Sequence, residues 1–144
     1  MNRSDNALSF YRRGFSCSQA VAAAFAPDSG LDEQTALRLS QPFGGGIAGT
    51  ADWCGALTGA FLIIGLKYGR LRPEDAAAKA KTYDLVRELI TRFSALHGQV
   101  KCKDLLGCDI STPEGQKKVD KLKLHQTKCE GFVRDAVALL EELL

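Results

Sequence analysis

The sequence predicts an all-α protein, a single-domain bundle of about six to seven helices around one buried helix rich in Gly and Ala. Three observations predict this fold class. Apolar residues recur three and four positions apart over long segments. No segment alternates apolar and polar residues as a half-buried strand does, and no Asn-Gly or Asp-Gly hairpin turn occurs. Ser, Thr or Asp precedes several periodic segments, as helix N-caps do.

Three helices are predicted before the first glycine-rich loop. The first covers residues 4–14, where glycine ends it. Ser16 and Gln19 have the spacing of a capping box, which opens a second, Ala-rich helix that stops near Pro27. A third helix is predicted over residues 32–41, between an aspartate N-cap and a proline.

The centre of the chain is predicted to be the buried core helix. Asp52 is its expected N-cap and Gly69 its end. Gly and Ala recur four residues apart on one face, at positions 55, 56, 59 and 60. Small side chains there allow the close approach of either a second helix or a compact cofactor, and this segment alone does not separate the two interpretations.

Three further helices are predicted in the C-terminal half. Pro73 is the expected first residue of a long amphipathic helix that reaches about Leu96. A lysine-rich helix starts within residues 111–114. Thr127 and Glu130 have the spacing of a second capping box, which predicts the start of the last helix.

Composition predicts one globular, cytoplasmic domain covering residues 1–144. The chain is 45% hydrophobic and 25% charged, and its formal net charge of +2 argues against an obligate nucleic-acid or membrane-surface partner. The longest apolar run, residues 54–66, is shorter than the about 20 residues of a membrane span. The N-terminus lacks the apolar core of a secretory peptide. Disulfides rarely persist in the cytoplasm, so five cysteines need another explanation.

Four cysteines fall at, or just before, the start of a predicted helical segment. They are Cys17, Cys54, Cys102 and Cys129, called here the four-cysteine set. The first turn of a helix carries unpaired N–H groups and a partial positive charge, which stabilise a thiolate or a metal–thiolate cluster. We therefore expect these four sulfurs to surround one cavity as metal ligands. Cys108 lies in a predicted turn and is expected to be dispensable.

The glycine-rich loop supplies candidate cofactor-binding positions. It contains G-x-G-x-x-G at Gly44, Gly46 and Gly49, but no strand precedes it, which argues against a dinucleotide-binding site. We instead expect positive φ within residues 44–46 beside the cysteines. Gly44, Gly45, Gly46 and Gly55 are the predicted cofactor-binding positions.

Zinc is the alternative metal. No C-x-x-C pair occurs, which argues against a thioredoxin-type dithiol or a zinc ribbon. Cys102, Cys108, His125 and Cys129 form an acceptable zinc ligand set, although their spacing is unfamiliar. His125 and His97 are otherwise expected to be surface or capping residues.

The cysteine segments together resemble a known family. FSCSQAV, QPFGGGI, CGALTGA, CKDLLG and CEGFVRDAV follow one another along the chain. In this combination the sequence resembles the redox-active proteins named for a C_GCAxxG_C_C signature, although here cysteine precedes the first glycine of the central element. The resemblance implies a small, mostly helical protein whose family cysteines match the four-cysteine set. A similar domain in split-Soret cytochromes is associated with an iron–sulfur cluster; this chain lacks their C-x-x-C-H haem motif.

Three functions remain open from the sequence. The leading hypothesis is an electron-transfer protein in which the four-cysteine set binds an iron–sulfur cluster and serves an unidentified redox partner protein. The second is a thiol–disulfide protein that cycles two of these cysteines. The third is a structural zinc protein. Whether the protein is an enzyme stays open, as does a homodimer formed through the small-residue face or the Leu-rich C-terminal helix.

Overall fold

The computed structural model describes residues 2–144 and confirms the all-α fold. The described chain forms eight α-helices and no β-strand. The eighth helix arises because the short segment after Cys102 forms a helix of its own. The helices are α1 Arg3–Arg12, α2 Cys17–Phe25, α3 Glu33–Ser40, α4 Gly55–Tyr68, α5 Ala76–His97, α6 Cys102–Leu106, α7 Pro113–Leu122 and α8 Glu130–Leu143.

Three short helical turns connect these elements. Two are 3-10 turns, at Pro27–Ser29 and Gln41–Phe43. The third is a π-helical turn at His125–Cys129, which runs directly into α8. Single π turns are rare and occur often at functional sites. None of the helices within residues 2–144 is long and apolar enough to cross a membrane.

The first predicted capping box is confirmed, at the start of α2. The Ser16 hydroxyl accepts a hydrogen bond from the Gln19 N–H, and the Gln19 side chain accepts one from the Ser16 N–H. The start predicted for the long helix was wrong. Pro73 precedes α5, which begins at Ala76 because the Asp75 carboxylate accepts a hydrogen bond from the Ala78 N–H and caps the helix.

Two other predicted caps were wrong. Cys54, rather than Asp52, is the N-cap of α4. The backbone of Asp52 instead bonds to residues far along the chain, as described below. Thr127 does not cap α8 because it lies inside the π turn, where its hydroxyl donates to the carbonyl of Lys123 at 3.0 Å.

Helix α4 is the buried centre of the bundle, as predicted. It packs against α2, α5 and α8, and its first six residues are all buried. At Gly59 an added Cβ would lie 2.6 Å from the backbone oxygen of Ser18 in α2. The glycine therefore allows α2 and α4 to pack with their backbones in contact, so helix packing explains this part of the small-residue face.

A cysteine-lined candidate site

All four members of the four-cysteine set line one cavity of about 470 Å³. The cavity lies where the N-terminal ends of α2, α4 and α6 meet the π turn. All five cysteines are free thiols, and Cys108 is not part of the cavity wall. The structure thus brings together, on one cavity wall, the four cysteines predicted from their helix-start positions.

An antiparallel bridge holds Cys54 beside Cys102. Trp53 pairs with Lys101 in an isolated β-bridge. The Cys54 N–H donates to the carbonyl of Val100 at 2.9 Å, and the Cys102 N–H donates to the carbonyl of Asp52 at 2.6 Å. This contact was not predicted, because one isolated bridge leaves no alternating pattern in a sequence.

Gly55 brings Cys17 close to Cys54. An added Cβ at position 55 would lie 3.2 Å from the Cβ of Cys17 and 3.0 Å from the backbone nitrogen of Ser18. The first turn of α2 therefore rests directly on the first turn of α4. Gly55 lines the cavity, as expected of a predicted cofactor-binding position, and it also lets the two helix starts meet.

The glycine-rich loop forms another wall of the cavity. Gly45 and Gly46 line it and have φ values of 63° and 69°, so the expected positive φ beside the cysteines is confirmed at these two positions. At Gly46 an added Cβ would lie 2.5 Å from the backbone nitrogen of Asp52. Gly44 differs, because it has a φ of −66°, packs against Ser16 and lies outside the cavity wall.

Positive φ extends beyond the glycines of this loop, which the sequence did not predict. Ile47, Ala48 and Ala51 have φ values of 68°, 52° and 60°. Such a conformation costs roughly 1–2 kcal/mol per residue with a side chain, and a β-branched residue is an outlier there. Hydrogen bonds from the N–H of Ala51 to Gly45 and from that of Asp52 to Gly46 hold the loop closed. Strain of this kind clusters at functional sites.

Cys129 is the thiol that the site favours as a thiolate. Its pKa is lowered from 9.0 to about 5, first by the neighbouring Cys17 thiol and then by His125, against the opposing effect of burial. Tyr11 adds to this lowering of the pKa. The same interaction with Cys129 raises the pKa of Cys17 well above its ordinary value. The pair therefore holds a proton on Cys17 and a charge on Cys129.

The other two thiols are held neutral. Burial raises the pKa of Cys54 to about 12, although the N–H groups of Ala56 and Leu57 act in the opposite direction. Burial, followed by the proximity of Cys54, raises the pKa of Cys102 to about 12. The expectation that each helix start lowers a thiol pKa was therefore wrong for Cys17, Cys54 and Cys102. At Cys54, desolvation outweighs the N–H groups.

The sequence analysis did not predict that His125 and Tyr11 lie beside the thiols of the site. His125 was expected at the surface or as a cap, but its Nδ1 lies 3.6 Å from the sulfur of Cys129, and this contact raises the histidine pKa. The one signal in the sequence was the four-residue spacing within a helical segment. Tyr11 lines the same cavity from α1, and no sequence pattern connects it with Cys129.

The side chains are not arranged around a single metal ion. No group of three or more His, Cys, Asp or Glu side chains within residues 2–144 could hold one as the groups stand. The predicted zinc ligand set was Cys102, Cys108, His125 and Cys129. Three of these residues line the cavity, and Cys108 does not.

Iodoacetamide is expected to modify Cys129 of the metal-free protein before Cys54 or Cys102 at pH 7. With a pKa of about 5, Cys129 is a thiolate at that pH, whereas the other two, with pKa values of about 12, remain thiols. The rate at Cys129 should fall as the pH drops through about 5, where the sulfur gains its proton. Peptide mass spectrometry in a Cys108→Ser background measures this order, and faster labelling of Cys54 would contradict it.

Comparison with known proteins agrees with this arrangement. Residues 15–143 match the family model described as "Putative redox-active protein (C_GCAxxG_C_C)". No curated protein matches the chain, and no solved structure does. The matched residues include all four cysteines of the cavity and both glycines of its loop wall. The chain belongs to this C_GCAxxG_C_C family.

Proposed function

We propose that the protein transfers electrons through an iron–sulfur cluster bound by Cys17, Cys54, Cys102 and Cys129. The observation that carries the proposal is the convergence of these four thiols on one cavity. Cysteine thiolates are the usual ligands of such clusters. When bound, the cluster would supply one-electron redox chemistry; the cysteines would hold it, and the glycine loop would cover one side.

The donor geometry fits a polynuclear cluster better than a single ion. Ligands of one ion must crowd around one point, and no group within residues 2–144 does so. Ligands of a cluster bind different irons and therefore stand farther apart, around a larger space. The cavity of about 470 Å³ that the four cysteines line leaves space for such a cluster. Structural zinc has correspondingly less support.

The charge balance of the cavity also supports a cationic occupant. The interaction with Cys129, followed by burial, raises the pKa of Cys17, and burial, followed by the proximity of Cys54, raises that of Cys102, so the metal-free site cannot carry four negative charges at neutral pH. Iron would compensate those charges and displace the protons. Cluster binding should therefore release protons from Cys17, Cys54 and Cys102.

Anaerobic purification followed by iron, zinc and acid-labile sulfide analysis tests the proposal. We expect iron and sulfide together with visible absorption that bleaches on reduction. Zinc without sulfide would contradict the proposal and favour a structural metal. The redox partner protein and a cytoplasmic location remain predictions from the sequence.

Thiol–disulfide exchange is the second candidate, favoured by the proximity of Cys17 and Cys129, which raises the pKa of Cys17 and lowers that of Cys129. In this function the Cys129 thiolate attacks one sulfur of a partner's disulfide, which forms a mixed disulfide and releases the other partner sulfur as a thiolate. Cys17 then loses its proton and displaces the remaining partner sulfur, so the partner leaves as a dithiol and a Cys17–Cys129 disulfide remains. Metal-free protein that loses two titratable thiols reversibly, at these two positions, would support it.

A further inference from the structure

Lysines from three segments gather around the short helix α6. They are Lys103 in α6 itself, Lys118 in α7 and Lys128 in the π turn, called here the α6 lysines, and all three are exposed. The Lys128 ammonium donates to the carbonyl of Leu105 at 3.5 Å. The Lys118 ammonium donates to the carbonyl of Gly107 at 3.3 Å. The fold therefore places three positive charges from separate segments on one short helix.

The positive charge of this region is not balanced by neighbouring carboxylates. Residues 101–128 contain seven lysines and four acids, whereas the rest of the chain has one more acid than it has basic residues. Within residues 2–144, none of the α6 lysines forms an ion pair with a carboxylate. Asp109, an acid of the same segment, instead accepts hydrogen bonds from the hydroxyl and the N–H of Ser111. Like charges that stay unpaired on one surface favour an anionic partner.

The α6 lysines lie beside a half-buried cysteine of the site. Cys102 opens α6 and is half-buried, whereas Cys54 and Cys129 are buried. The N–H of Lys103 donates to the carbonyl of Ala51 at 3.1 Å, which ties α6 to the glycine-rich loop that forms one wall of the cavity. None of the α6 lysines is part of the cavity wall. A protein that docks on them therefore approaches Cys102 without entering the site.

We propose that the α6 lysines dock the redox partner protein through an acidic patch on the surface of that partner. The inference rests on the proposed function, because it requires a cluster that exchanges electrons with another protein. One electron passes from the reduced cluster to the oxidised partner, and no bond forms or breaks. Charge complementarity of this kind steers a partner toward the site and raises the rate of association.

A protein fits this surface better than a nucleic acid does. Domains that bind nucleic acids usually have isoelectric points above about 9 and a large basic face. Here the isoelectric point is about 8.3 and the formal net charge is +2. A small group of lysines at the edge of a redox site instead resembles the polar rim of a protein interface.

Oxidation of the reduced holoprotein by ferricyanide tests the charge at the point of electron transfer. Ferricyanide is an anion that accepts one electron, so the α6 lysines should attract it. The triple variant Lys103→Gln, Lys118→Gln, Lys128→Gln should react about tenfold more slowly at low ionic strength. With hexaammineruthenium(III), a cation, the triple variant should react faster than the wild type, an opposite effect that a folding defect would not produce. Raising the ionic strength from about 0.01 M to about 1 M should abolish both differences.

A matched control removes three lysines near the other end of α4. Lys67 lies in the last turn of α4, about 20 Å along the helix from its start at the cavity. The ammonium groups of Lys67 and Lys81 both lie over the ring of Tyr68. Lys79 lies two residues before Lys81 on α5. Glutamine at these three lysines gives the same net charge as the triple variant, and it should change the rate constants with both oxidants much less.

Poly-L-glutamate, a model acidic polypeptide, tests the chemistry of the partner. It should inhibit the ferricyanide reaction of the wild type by occupying the α6 lysines, and it should have little effect on the triple variant. Equal inhibition of both proteins would contradict the inference. Stronger inhibition by duplex DNA than by poly-L-glutamate, at the same concentration of negative charge, would assign the surface to a nucleic acid and would also contradict it.

The outcomes separate the two proposals. Wild-type protein without iron and sulfide would overturn the proposed function and this inference with it. A wild-type cluster whose reactivity toward both oxidants is unchanged in the triple variant would overturn the inference alone. Loss of iron from the triple variant would assign the α6 lysines a structural role and would likewise overturn it.

Discussion

Serine in place of Cys54 is expected to leave the purified protein with almost no iron or acid-labile sulfide. Cys54 is 4% exposed, lines the cavity and begins α4, where its backbone is held to Val100. A neighbouring side chain cannot easily take its place at that fixed position. A serine hydroxyl is a much weaker ligand for iron than a thiolate. Iron and sulfide assays with visible absorption, on anaerobically prepared protein, measure the loss.

Cys108→Ser is the matched control, and it should leave iron, sulfide and absorption unchanged. Cys108 lies close enough to Cys102 to influence its pKa, but it is outside the cavity wall. Serine at Cys17, Cys102 or Cys129 should abolish the cluster or alter its spectrum and potential. If Cys108→Ser destroys metal binding while Cys17→Ser does not, the site lies in the C-terminal third, and the zinc set with His125 replaces the four-cysteine set.

Alanine in place of Gly59 is expected to destabilise the protein by about 1–3 kcal/mol. The new methyl would lie 2.6 Å from the backbone oxygen of Ser18, and a backbone group cannot turn aside as a side chain can. Helices α2 and α4 would have to separate, which would also disturb the contact between Cys17 and Gly55. Urea unfolding of the metal-free protein measures the free energy of unfolding.

Gly65→Ala is the control in the same helix. An added Cβ there meets no atom within 4 Å, and the position is exposed. Alanine should therefore stabilise α4 by up to about 1 kcal/mol, through helix propensity alone. Equal effects of the two substitutions would show that close packing does not explain the glycine at position 59.

The sequence predicted the helices well where local chemistry decides their ends. Ser16 and Gln19 cap α2 through groups three residues apart, and periodic apolar residues define the long helices. The prediction for Asp52 was wrong because its carbonyl accepts a hydrogen bond from the distant Cys102 N–H and α4 begins at Cys54. The prediction for Thr127 was wrong because the chain is already helical there, in the π turn, and the threonine hydroxyl donates to the carbonyl of Lys123 four residues earlier.

The sequence by itself predicted that the four-cysteine set shares a site, because each of its members stands at, or just before, the start of a predicted helical segment. Only the tertiary structure decided how those thiols differ. Cys17, His125 and Tyr11 lower the pKa of Cys129, which is held as a thiolate. Desolvation outweighs every other effect at Cys54 and Cys102, which are held neutral. The helix-start position is a local property, whereas desolvation and hydrogen bonding depend on which distant segments meet around each sulfur.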